Sequence, residues 1–237
     1  MGTATTTDLL CAWRAAGPYL PTSASKNGLI AETRLFLQAY RTCGSVDLAR
    51  TELVDRLLPQ RSRETRRVIV RNILARLTRW HPPAWVLDDL VAAAEEENLS
   101  RLRSLLLMHH ARQETLLYDT VQELILPQWL RGEVQLSRDD VLAFLAKRAI
   151  YHPELARWSY ETRLKIAGNL LTTLRDYGLL TGRQLRRIVE PTVDALAFGY
   201  VARLLREEGI AEARLADHAD WRLWLMSPER VRTLLYE

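Results

Sequence analysis

The chain has little of what many protein functions require. Its 237 residues include two cysteines, Cys11 and Cys43, with no Cys-x-x-Cys spacing. That argues against a disulfide framework or a cysteine-based zinc site and for reduced thiols. Long apolar runs are missing as well. Leu105-Leu106-Leu107-Met108 is among the longest, whereas a membrane-spanning helix needs roughly 20 apolar residues. The threonine-rich start, Met1 to Asp8, lacks the basic-then-apolar layout of a secretory signal. A cytoplasmic protein with no membrane partner is the expectation, and a monomer is its default state.

Signatures of catalysis are equally scarce. Ser23-Ala24-Ser25-Lys26 matches the Ser-x-x-Lys of penicillin-recognising enzymes, but the accompanying SDN and KTG elements are missing. Lys26-Asn27-Gly28 is not a Gly-rich phosphate cradle. Adjacent His109 and His110 point about 100° apart on a helix, so they do not form the two-ligand face of a helical zinc site. His81 and His152 each precede proline and read as solvated loop residues. His218 sits in Asp217-His218-Ala219-Asp220. That cluster is either a ligand group or a helix start capped by Asp217 and followed by buried Trp221 and Trp224. Neither a catalytic site, a metal nor a cofactor is expected.

What the chain does have is helical periodicity and arginine. Apolar spacings of three and four recur almost throughout, which predicts an all-α, compact multi-helix protein. Helices are expected from about Leu29 to Thr42, from Ser45 to Leu57 and from Ser62 to Trp80, the last after the proline break Leu58-Pro59-Gln60-Arg61. Further helices should follow His81-Pro82-Pro83, from Ala84 to Glu97, then from Leu102 to Arg112 and from Glu114 to Leu130. Pro127 should kink or end that last one. Ser137-Arg138-Asp139-Asp140 reads as a capping box for a helix to about Ile150, and Ser159 opens a long helix ending at Gly178. Residues 179–189 fit either a two-stranded wing or a short helix. The last helices run from Thr192 to Glu208 and from Ser227-Pro228-Glu229 onward. This gives an N-terminal segment 1–26 and two helix-turn-helix-like subdomains, 27–132 and 133–237, the second winged-helix-like over 137–189.

Of 33 basic residues only Lys26, Lys147 and Lys165 are lysine, and the net charge is +4. Codon usage in a GC-rich genome and selection for phosphate or guanine recognition both produce such a bias, so position decides. Arg61, Arg63, Arg66, Arg67, Arg71, Arg76 and Arg79 face a single acid, Glu64, between Gln60 and Trp80. On the helix from Ser62, Arg63, Arg67 and Arg71 form an i, i+4, i+8 ridge beside an apolar arc, with Arg76 and Arg79 expected to extend the basic surface. A second cluster carries Arg157, Arg163, Lys165, Arg175, Arg183, Arg186 and Arg187 against Glu161 and Asp176. Between the two clusters, Asp88, Asp89, Glu95, Glu96 and Glu97 make an acidic stretch. The candidate DNA-contacting residues are Arg61, Arg63, Arg66, Arg67 and Arg71 in the first cluster, and Arg163, Lys165, Arg183, Arg186 and Arg187 in the second. The competing readings are an RNA-binding protein and a helical adaptor, the latter docking through the acidic stretch and through Trp221 and Trp224.

Three stretches of wording, in this order, resemble one family. They are Ser23-Ala24-Ser25-Lys26-Asn27-Gly28-Leu29-Ile30-Ala31-Glu32-Thr33-Arg34, Leu171-Thr172-Thr173-Leu174-Arg175-Asp176-Tyr177-Gly178-Leu179-Leu180 and Asp217-His218-Ala219-Asp220-Trp221-Arg222-Leu223-Trp224-Leu225. The chain resembles the BrxA family of bacteriophage-exclusion (BREX) systems over almost its whole length. The resemblance implies an all-helical cytoplasmic protein with helix-turn-helix elements flanked by positive surface. It also implies double-stranded DNA binding, in a defence system with other subunits, a methyltransferase among them. It supplies no catalytic residues, so the arginine assignments rest on helical geometry.

Overall fold

The computed structural model describes residues 17–21 and 27–236. The Ser-x-x-Lys sequence at 23–26, Cys11 and the threonine-rich start lie outside them. The predicted helical class holds, and each helix boundary has a local cause. Helix α1 (Ile30–Cys43) stops where Gly44 turns left-handed (φ 65°) and its N–H closes on the Tyr40 carbonyl. Helix α2 (Val46–Glu52) widens into a π-helical turn, Leu53–Leu57, which ends before Pro59. Ser62 caps helix α3 (Arg63–Leu77), its hydroxyl accepting from the Thr65 N–H at 3.4 Å.

Helix α4 (Ala84–Glu95) leads to α5 (Ser100–Gln113), which is the centre of the molecule. Leu102, Leu105, Leu106, Leu107, Met108 and Ala111 are all buried, and so are Ser104, His109, His110 and Arg112 on its other faces. A helix covered on all sides belongs inside a bundle. Helices α1, α3 and α4 pack around it, together with the C-terminal elements. Helix α6 (Thr115–Thr120), a second π-helical turn (Val121–Ile125) and α7 (Leu126–Leu130) then run on without a break. The chain therefore passes Pro127 without ending, because the wide turn just before it shifts the hydrogen-bond ladder that proline would interrupt.

The remaining half begins with a two-residue strand, β1 (Gln135–Leu136), followed by α8 (Arg138–Arg148). The Ser137–Asp140 capping box is complete. A 3-10 turn (Pro153–Arg157) precedes α9 (Tyr160–Asp176), capped by Ser159. Next comes a hairpin, β2 (Leu180–Thr181) and β3 (Arg186–Ile188), so of the two readings of 179–189 the strand form is present. Strand β3 lies between β2 and β1, antiparallel to both. At the hairpin turn Gly182 has φ 80°, and a Cβ there would lie 2.1 Å from the Leu185 carbonyl oxygen, so only glycine fits. Helix α10 (Ala195–Glu207) is capped by Asp194, and α11 (Glu212–Leu215) precedes a 3-10 turn, Ala219–Trp224, and α12 (Pro228–Tyr236).

One hydrophobic cluster extends from Tyr19 to Val231. Polar side chains tie distant parts of it together. Arg112 donates to Asp220 at 2.6 Å and pairs with Glu208, while the Tyr118 hydroxyl donates to Asp220 at 2.9 Å. Burial alone would raise the Asp220 carboxyl, but Arg112, His218 and Tyr118 hold it below the ordinary range. Arg76 and the Tyr177 hydroxyl both donate to the Gly28 carbonyl, at 3.1 and 3.2 Å. A Cβ at Gly28 would sit 2.7 Å from that of Asp176, so the two backbones approach as only glycine allows. Tyr19 fills a socket at the other end of this segment. Its hydroxyl donates to Asp119 at 2.8 Å, and its ring stacks 3.7 Å from that of His152.

Several expectations change. Arg76 is 8% exposed and faces the core instead of extending the basic surface. It stands three residues after Ile73 and seven after Ile69, which places it on the inward arc. His152 is packed between Tyr19, Arg148 and Glu154 instead of being solvated. The cap of the C-terminal turn is His218, whose Nδ1 accepts from the Asp220 N–H, and not Asp217. Trp221 and Trp224 are 1% and 0% exposed, with their indole N–H groups donating to Leu215 and Ser104 carbonyls. Buried and satisfied, they offer no docking surface.

Candidate nucleic-acid interface

Helix α3 displays most of its arginines as its period requires. Arg63, Arg67 and Arg71 are exposed along one edge, Arg61 is exposed just before the Ser62 cap, and Arg66 is half-buried. Between α3 and α2 lies a groove of about 830 Å³. Arg50, Arg63, Arg67, Arg71 and Arg79 line it, with Asp55 as its one acid. Arg63 donates to Asp55 at 2.8 Å, and Arg67 stands 3.7 Å from Glu64. Both pairs are solvated and contribute little to stability, so phosphate can displace them cheaply. No ion pair involves Arg61, Arg66 or Arg71 among the described residues.

The second cluster divides between α9 and the hairpin. Arg163 is half-buried and donates to the Leu155 carbonyl at 2.8 Å, which fastens the 3-10 turn to α9. Lys165 is exposed on the same helix. Arg183 is exposed in the hairpin loop, and Arg187 is exposed on β3, opposite Gln135 on one side and Thr181 on the other. Arg186, one position away, points to the inner face of the sheet and is half-buried.

Two arginines outside the predicted set belong with Arg186. Arg138, the first residue of α8, and Arg175, near the end of α9, are the positive charges that act on it. Burial and these two positive neighbours all push the Arg186 pKa down. The sequence carries one sign of this: an arginine at the first position of a helix opposes the helix dipole. Strand β1, which brings Arg138 beside Arg186, is too short to read from alternation.

The acidic stretch is partly consumed within the fold. Glu95 pairs with Arg41, and Glu96 with Arg101. Asp88, Asp89 and Glu97 stay exposed. Burial and Asp88 raise the Asp89 pKa, against the pull of Arg203. The histidines in α5 are core groups. His109 bonds the Tyr200 hydroxyl at 2.6 Å, and burial together with Arg112 pushes its pKa down to about 3. His110 bonds Tyr177 and Glu114, and burial together with Arg76 pushes it down to about 4. No group of three or more potential metal ligands occurs among the described residues. No helix among them is long and apolar enough to cross a membrane.

The fold has a solved counterpart, a crystal structure of an uncharacterized protein from Magnetospirillum magneticum. The two share 18% identity with a TM-score of 0.66, over 89% of this chain and all of that one. At this identity the likeness concerns the fold alone. No functionally curated protein matches the chain. Residues 18–204, which carry both basic clusters and the sheet, match the BrxA family, so the chain belongs to the BrxA family of bacteriophage-exclusion defence systems.

Proposed function

We propose that this protein is a non-catalytic component of its defence system that binds double-stranded DNA, largely through phosphates. The observation that carries this reading is the arrangement of residues 135–188. Strand, helix, helix and hairpin follow one another, and the last strand is inserted between the other two, as in winged-helix proteins. In that arrangement α9 is the helix offered to the major groove and 180–188 is the wing. Lys165, Arg183 and Arg187 are exposed on those elements. The α3 ridge of Arg63, Arg67 and Arg71 supplies a second basic surface, in a helix-turn-helix-like setting after α2.

A salt titration tests the reading. If six or more phosphates are neutralised, duplex affinity falls by about a thousandfold or more between about 50 and about 200 mM salt. Absence of duplex binding at low salt would end it. A matched RNA duplex bound more tightly than DNA would favour the RNA-binding alternative. The adaptor alternative has lost Trp221 and Trp224 and keeps the exposed acids of α4 as its surface.

A further inference from the structure

The charges that act on Arg186 are those of two other arginines, Arg138 and Arg175. Arg186 lies opposite Leu136 across the β1–β3 pairing, two residues before Ile188, and Leu136 and Ile188 are both buried. Residues paired across antiparallel strands point to the same face, so Arg186 starts from the covered side of the sheet. Two residues beyond Leu136 stands Arg138. A Cβ added to Gly168 on α9 would be 3.9 Å from a terminal nitrogen of Arg138, so this guanidinium lies close over α9 where the helix has no side chain. Arg175 is seven residues after Gly168 and therefore on the same face of α9. Among the described residues none of the three side chains makes a hydrogen bond or an ion pair.

Like charges gathered around one half-covered guanidinium oppose folding, and an anion placed among them would relieve that repulsion. We propose that Arg138, Arg175 and Arg186 form a site for one phosphate group, set between the start of α8, the end of α9 and the inner face of β3. Guanidinium groups offer paired N–H donors that match phosphate oxygens in a bidentate way, and three of them outweigh the charge of a single phosphate. The ligand is either a backbone phosphate of nucleic acid or a free phosphate. The site does not depend on the duplex reading, because the uncompensated charge exists with or without a duplex. If it is a backbone site, it fixes the register of the wing on the strand, a positioning contact and not a sequence-reading one.

The test uses the full chain and inorganic phosphate as the probe, with chloride at matched ionic strength as the reference. Phosphate is expected to raise Tm by about 3 °C with saturation. R186Q is expected to abolish that rise and, by relieving repulsion, to be at least as stable as the parent in chloride. Circular dichroism checks that R138Q, R175Q and R186Q stay helical. A duplex titration separates the two sources. If each of the three variants weakens duplex binding more than R214Q on α11 does, the ligand is a backbone phosphate. If phosphate stabilises the chain while the variants bind duplex as the parent does, it is a free phosphate, and the wing drops out of the DNA surface. The proposal is overturned if phosphate acts no differently from chloride and R186Q leaves duplex affinity unchanged.

Discussion

Two buried or half-buried arginines, Arg112 and Arg186, live in opposite company. Arg112, in the central helix, is met by Glu208 and Asp220, and both acids are themselves nearly covered. Burial would lower its pKa, but the two carboxylates raise it, so it remains charged and fully answered inside the protein. Arg186, on the hairpin, has neighbours of its own sign and, among the described residues, no acid paired with it. The first arrangement is self-sufficient, and the second is complete only with something added. Net charge and arginine count do not distinguish them; partnership does.

The sharpest way to break this comparison is to remove Arg112. Arg112→Ala leaves Glu208 and Asp220 buried without a counter-charge and should cost about 3–5 kcal/mol, read by urea denaturation. A loss under about 1 kcal/mol would mean the network is not structural. On the α3 groove the expectation is reversed. The triple variant Arg63→Glu, Arg67→Glu and Arg71→Glu should weaken duplex binding by about a hundredfold or more, through lost and inverted phosphate contacts. Its helicity should be unchanged, because all three side chains are exposed. Unchanged affinity would shift the DNA surface to the hairpin side alone.

A smaller effect is a pH dependence that belongs to the core. His109 and His110 titrate near 6.5 when unfolded, but only at about 3 and about 4 when folded. Their folded pKa values are depressed, so the unfolded chain binds protons first. Stability should be fullest above pH about 6.5 and decline as pH falls toward about 4. His110→Gln should flatten that slope in a denaturation series, and an unaltered slope would assign it to other groups. The smallest expected change is at the exposed Lys165. Lys165→Gln should alter stability by less than about 0.5 kcal/mol and reduce the salt slope of duplex binding by about one.

Local signals in the sequence located the helices, the Ser137–Asp140 box and the α3 ridge, because periodicity and caps act over a few residues. Features made by distant partners were not legible. Arg138 joins Arg186 only through a two-residue strand paired nearly fifty positions later. His152 became a packed residue because Tyr19 stacks on it from the far end of the chain. Arg76 is a different case. Its place on the inward arc follows from its spacing to Ile69 and Ile73, against what its charge suggests. Burial then required partners that α3 does not contain, and the Asn27 and Gly28 carbonyls supply them.

That clasp on Gly28 has a consequence for the order of assembly. Tyr177 and Asp176, which hold its carbonyl and its N–H, are translated some 150 residues after it. Until then Arg76 can hold it from one side only. Residues 27–29 are therefore secured only once α9 has been made, and they wait for partners supplied by a distant part of the chain.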